Sequence, residues 1–212
     1  MAPVNPRELS ERELHEYVAE TEGHDSQVTG VVGYFYQMYR AEVLARVQGV
    51  RGRDVLEVGC GEGMMFDGTE TMPVQMDVSW TRVARAMGKA RYLLCGDGYE
   101  LPFAPASFEV VLLIAVLEHT REPQRVLAEA KRVLKPGGRV VIVVPNDATM
   151  SAGRLLLRKF PIRYPDHVTF TTPGKMRRWL ADGFRITEAF HLPFRRLPFA
   201  ANLYHFVVAE RV

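Results

Sequence analysis

The run Val55-Leu56-Glu57-Val58-Gly59-Cys60-Gly61-Glu62-Gly63 places glycine at every second position directly after an apolar stretch. Missing β-carbons at Gly59, Gly61 and Gly63 would let a nucleoside-like ligand lie against the backbone. Glu57 precedes this loop, and Glu62 sits where a following helix would begin. A pyrophosphate resting on that helix start would be repelled by them, whereas a ligand carrying positive charge would not. Further on, Asp77-Val78 ends the run Val74-Gln75-Met76, Asp97-Gly98 follows Tyr92-Leu93-Leu94, and Glu118-His119 closes a long apolar run. A carboxylate can take two adjacent hydroxyls at once, and an imidazole suits proton transfer near neutral pH.

Positioning such groups requires strands that end where ligands bind. From Arg53 onward short apolar runs alternate with amphipathic stretches, as in βαβ units wound into a mostly parallel sheet. The expected strands are Val55–Val58, Val74–Met76, Tyr92–Leu94, Val110–Ile114, Val140–Val144, Phe184–Phe190 and Tyr204–Ala209. Helices are expected over Thr81–Lys89 behind Ser79, Pro123–Leu134, Thr149–Lys159, and from Thr172-Pro173 to Gly183. Two further helices precede the first strand: one opened by the capping box Ser10-Glu11-Arg12-Glu13, and one over Val31–Val47. Between Gly63 and Asp77 the chain is short and broken by Asp67-Gly68, leaving room for a helix of a turn or two.

Residues 1–212 therefore read as a single domain: a helical leader or lid (1–52), a cofactor-binding core (53–145), and a substrate cover with closing strands (146–212). The 25% charged and 47% hydrophobic composition excludes disorder, and two cysteines make no disulfide framework, so a reducing cytoplasm is expected. No apolar run approaches the ~20 residues of a membrane span. Residues 1–150 carry 16 basic and 21 acidic side chains, against 11 and 4 in residues 151–212. An acidic body joined to a basic closing section favours an anionic acceptor or surface at the latter.

S-adenosylmethionine, with its ammonium and sulfonium, is the nucleoside that suits the acidic glycine loop. In order and spacing, Glu57–Gly63, Asp77, Asp97-Gly98, Leu101-Pro102-Phe103 with Ser107–Val111, and Arg132–Gly138 resemble the class I S-adenosylmethionine-dependent methyltransferases, particularly the mixed group acting on quinones, lipids and small metabolites. That resemblance implies a Rossmann-like doubly wound α/β sheet of about seven strands, mostly parallel with an antiparallel last strand, helices on both faces. It also implies cofactor contacts from Glu57, Gly59, Cys60, Gly61 and Gly63, ribose binding by Asp77 with Val78, adenine binding by Asp97 and Gly98, and backbone near Ile114 serving the amino-acid end. Glu109 stands where the family more often has Asp.

The acceptor side is less determined. His119 is the candidate base or substrate contact; as an alternative it caps the next helix or packs against the cofactor. Tyr36, Tyr39 and Arg40 are candidate lid residues, with core packing the competing reading. No metal is expected, because neither a His-x-x-x-His nor a Cys-x-x-Cys pair occurs. The segment 154–163 mixes Arg154, Arg158, Lys159 and Arg163 with leucines, as would suit a lipid-like acceptor or transient contact with a membrane surface, or a solvated helix face. Nucleic-acid base methylation is disfavoured, since Leu113-Ile114-Ala115-Val116 replaces the Asn/Asp-Pro-Pro-aromatic motif of those enzymes. Two other classes stay open: a nicotinamide-dependent oxidoreductase, against which the G-x-G-x-G spacing speaks, and a non-catalytic cofactor-binding module.

Overall fold

Side chains of a strand alternate between faces, so a strand that is apolar throughout must be covered on both sides. The computed structural model, which describes residues 9–21, 30–156, 158, 164 and 166–212, shows this in β4 (Phe108–Ile114). Val111 and Leu113 enter one apolar layer; Val110, Leu112 and Ile114 enter the other. The first layer is closed by α4 (Pro123–Val133) and α6 (Pro173–Leu180) through Val126, Leu127, Met176 and Leu180. Across the sheet, α2 (Gly30–Val47) closes the second with Val43 and Val47. Complete burial of each such side chain stabilises the fold by about 1.5–3 kcal/mol.

Seven strands lie in the order β3-β2-β1-β4-β5-β7-β6. β1 (Val55–Val58), β2 (Val74–Asp77), β3 (Tyr92–Cys95), β4 and β5 (Leu134–Pro145) run parallel. β7 (Tyr204–Arg211) is inserted antiparallel between β5 and β6 (Phe184–Leu192). The doubly wound sheet expected from the sequence, with helices on both faces and an antiparallel last strand, is the one observed. Strand order reverses at β1, and the crevice beyond the carboxyl ends of β1 and β4 is where open α/β sheets bind ligands.

Local chemistry explains most helix starts. In α1 (Glu11–Thr21) Ser10 N donates to Glu13 Oε2 at 2.9 Å and Glu13 N donates back to Ser10 Oγ at 3.3 Å, which completes the capping box. Ser79 Oγ accepts from Arg82 N at the start of α3 (Trp80–Ala86), and Thr172 Oγ1 accepts from Lys175 N at the start of α6. Two helices are shorter than their patterns imply. α3 stops at Ala86 because Met87 turns extended and Gly88 takes φ +90°; α6 stops at Leu180 ahead of Gly183 at φ +90°.

The turn or two of helix expected after β1 is not formed. Residues 59–73 instead make a series of turns, with Gly68 at φ +72° and the Thr69 amide donating to the Phe66 carbonyl at 3.0 Å. α5 (Asp147–Leu156) begins two residues before its expected start. Of the basic segment 154–163, Leu157 and residues 159–163 lie outside the described residues, as does most of the Gly23–Gly30 break. No described helix is long and apolar enough to cross a membrane.

Candidate functional site

The glycine loop is held by the strand beside it. Gly59 N and Cys60 N both donate to the Met76 carbonyl, at 2.7 and 3.0 Å, which turns the loop across the end of β2. Gly59 sits at φ +73°, and a β-carbon there would lie 2.6 Å from Val116 Cγ2, so glycine is required on two counts. Asp77, buried at the tip of β2, locks the arrangement: Oδ2 accepts from Gly61 N at 2.8 Å and Oδ1 from Ser79 N at 3.0 Å.

Above this loop a cavity of about 290 Å³ opens at the carboxyl edge of β1 to β4. Gly59, Asp77, Val78, Asp97, Gly98 and His119 line it, so the structure brings together six of the residues the sequence nominated. Asp97 Oδ1 accepts from Tyr99 N at 2.8 Å, which sets the turn after β3. Cys60, Gly61 and Gly63 build the loop behind the wall, with Gly63 packed toward Ala86 of α3. Ile114 points into the layer under α2, and the next two residues, Ala115 at φ +54° and Val116, line the cavity.

Glu57 lies below the cavity floor. It is fully buried, accepts from Gln75 Nε2 at 2.7 Å, and burial pushes its pKa up to about 8; that hydrogen bond opposes the rise and the charge of Asp77 adds to it. Burial likewise pushes the Cys60 thiol far up, so it is no thiolate.

The cover over this cavity is α1, part of the leader expected as a lid, although the sequence nominated none of its residues. Ser10, Glu11, Arg12 and His15 line the cavity from above, and contacts far apart in the chain hold the helix down. Thr81 N donates to Glu16 Oε1 at 3.0 Å, Arg85 Nη1 donates to the Ala19 carbonyl at 2.9 Å, and Tyr99 Oη lies 3.2 Å from Glu11 Oε1. The candidate lid residues of α2 have other work. Arg40 donates to the carbonyls of Met65 and Asp67 at 2.8 and 2.6 Å, bracing the turns after the glycine loop. Tyr36 and Tyr39 pack edge to face, 5.2 Å between centroids, in the layer beneath.

At the far end His119 joins a group that no local spacing revealed. Its Nδ1 lies 3.2 Å from Asp166 Oδ2, its ring meets those of His15 and His167 edge to face, and Glu118 is buried beside it. Burial opposes protonation of His119, but the hydrogen bond its ring donates to Asp166, with the charges of Glu118 and Asp166, outweighs burial and raises its pKa. For Asp166 burial acts upward, and the hydrogen bond and charge of His119 bring it well below the usual carboxylate range. Arg82, Tyr99 and Thr120 also line the cavity, again without a sequence motif.

Residues 56–142 match the family model of a methyltransferase domain. The chain resembles such a domain over these residues. It is 38% identical over 110 residues to a Mycolicibacterium smegmatis protein named "probable S-adenosylmethionine-dependent methyltransferase", covering 49% of this chain and 42% of that one. A ubiquinone biosynthesis O-methyltransferase of Pectobacterium atrosepticum is 27% identical over 190 residues, 79% of each chain. The chain also superposes on the Synechocystis magnesium protoporphyrin IX methyltransferase solved with bound S-adenosylhomocysteine. That match has a TM-score of 0.63 and 19% identity, and covers 95% of this chain and 93% of the other. The chain spans about half the length of the first curated relatives it matches.

Proposed function

We propose that this chain is an S-adenosylmethionine-dependent methyltransferase that passes the methyl group, by in-line displacement at the sulfonium carbon, to a small-molecule or lipid-like acceptor. The observation that carries the reading is the placement of Asp77 and Asp97-Gly98 on one cavity above the Gly59 loop at the sheet's switch point. In this reading Asp77 takes the ribose hydroxyl pair, while Asp97 and the Gly98 backbone take adenine. Gly59 to Gly63, with the backbone around Ile114 and Ala115, face the methionine portion, and Glu57 supports the loop from below. His119, at the opposite end of the same cavity, faces the acceptor.

Displacement at an activated methyl group asks mainly for alignment and exclusion of water, worth up to ~7–11 kcal/mol in well-oriented systems. α1 supplies that cover. The names of the quinone-modifying relatives support an apolar ring-bearing acceptor, and the exposed Leu155 and Leu156 beside Arg154 support transient contact with a membrane surface. Titration calorimetry is the test. S-adenosylmethionine should bind at one site per chain and NADH should give no heat; the opposite pattern would overturn the reading. Production of S-adenosylhomocysteine against a panel of hydroxylated aromatic and lipid acceptors then separates an enzyme from a binding module.

A further inference from the structure

Glu118 has no solvent exposure, and among the described residues neither of its carboxyl oxygens has a hydrogen-bond partner. A carboxylate in that position is strongly penalised unless a cation or a proton neutralises it. His119 and His167 stand on either side. One nitrogen from each ring and one Glu118 oxygen lie within 4.8 Å of one another, and the two rings meet at 90° with centroids 4.8 Å apart.

Both rings are steered from behind. Asp166 Oδ2 and the Asp166 carbonyl sit 3.2 and 3.1 Å from His119 Nδ1, and Asp147 Oδ1 sits 2.5 Å from His167 Nδ1. A carboxylate on one ring nitrogen with a metal on the other is the usual arrangement of a histidine ligand, and the carboxylate half of it occurs here on both rings. Among the described residues Asp166 Oδ1 and Asp147 Oδ2 are themselves buried and unpartnered. Three carboxyl groups and two imidazoles thus crowd one buried place, a donor set that suits a divalent cation.

We propose that Glu118, His119 and His167 bind one divalent transition-metal ion, through the Glu118 carboxylate and Nε2 of each ring, with Asp166 and Asp147 as positioning residues. Two imidazoles and one carboxylate suit zinc, iron, cobalt or manganese rather than calcium or magnesium. Bonds of about 2.1 Å require the three donors to draw together by roughly 1 Å, a side-chain adjustment. His119 lines the cavity, so the open coordination positions face the acceptor end, and His119 acts there as a ligand instead of a free base. Metal binding stands apart from the methyl-transfer reading, although its place beside the acceptor rests on that reading.

The test uses cobalt chloride titrated into chelator-treated protein, followed by visible absorption and by metal content after gel filtration. One cobalt per chain is expected, with a ligand-field spectrum. Glu118→Gln and His167→Ala should each weaken binding at least tenfold, and Asp166→Asn about 10–100-fold. Calorimetry with S-adenosylmethionine on His167→Ala reports the cofactor site separately. Should the variants fail to fold, zinc added to wild-type protein must shift the ring-nitrogen resonances of His119 and His167. No stoichiometric cobalt, wild-type affinity in folded Glu118→Gln and His167→Ala, or unmoved resonances of these two rings would overturn the proposal.

Discussion

The two ends of the cavity are built on opposite principles. At the β1 to β3 end the placed polar groups are satisfied from the backbone: Asp77 holds two amides, Asp97 holds one, and the loop amides of Gly59 and Cys60 share the Met76 carbonyl. At the His119 end carboxyl oxygens of Glu118, Asp147 and Asp166 are buried without partners among the described residues. The first end is complete before any ligand arrives and so resists deformation. The second keeps buried acceptor atoms unused, which is what a site waiting for a positive group looks like.

Asp77→Ala should break this contrast most severely. It strands the Gly61 and Ser79 amides as well as removing the proposed ribose contact, so S-adenosylmethionine affinity should fall about 100-fold and stability by about 2–4 kcal/mol, read by calorimetry and urea unfolding. Unchanged affinity would mean that the β2 end is not where the cofactor sits. Gly59→Ala comes next. The new methyl group meets Val116 Cγ2 at 2.6 Å in a left-handed conformation, and a loss of about 1–3 kcal/mol is expected. A neutral outcome would show that the loop yields more readily than its hydrogen bonds imply.

Smallest is a pH effect beneath the loop. Folded Glu57 keeps its proton up to about pH 8, whereas the unfolded chain releases it near 4.5. The native state therefore binds more protons between these values, and stability falls as pH rises through that window. Glu57→Gln should flatten the fall, as measured by thermal unfolding at pH 5, 6.5 and 8. An identical slope in the variant would place the titration elsewhere.

What the sequence made legible was local. Strand positions followed from apolar runs, and the Ser10–Glu13 box, the Ser79 and Thr172 caps and the glycine loop each depend on residues within a few positions. Ile114 was one residue from the cavity because a strand's period of two sends its side chain under α2 while Ala115 and Val116 turn upward. Two features could not be read. The seating of α1 depends on Glu11 and Glu16 meeting Tyr99 and Thr81 far along the chain, and the cluster at Glu118 needs Asp147, Asp166 and His167 from the cover. Both come from tertiary closure, which leaves no periodic trace. The cover, 146–212, to whose basic residues the charge asymmetry drew attention, contributes here through Asp147, Asp166 and His167.

The insertion of β7 between β5 and β6 sets the order in which the sheet can be finished during synthesis. β5 and β6 each pair with β7 and not with each other, so neither hairpin forms until residues 204–211 have left the ribosome. Until then Val140 to Val144 present an apolar strand edge, the kind of surface that recruits other chains. A nascent chain of this type is most vulnerable to aggregation between the emergence of β5 and that of β7.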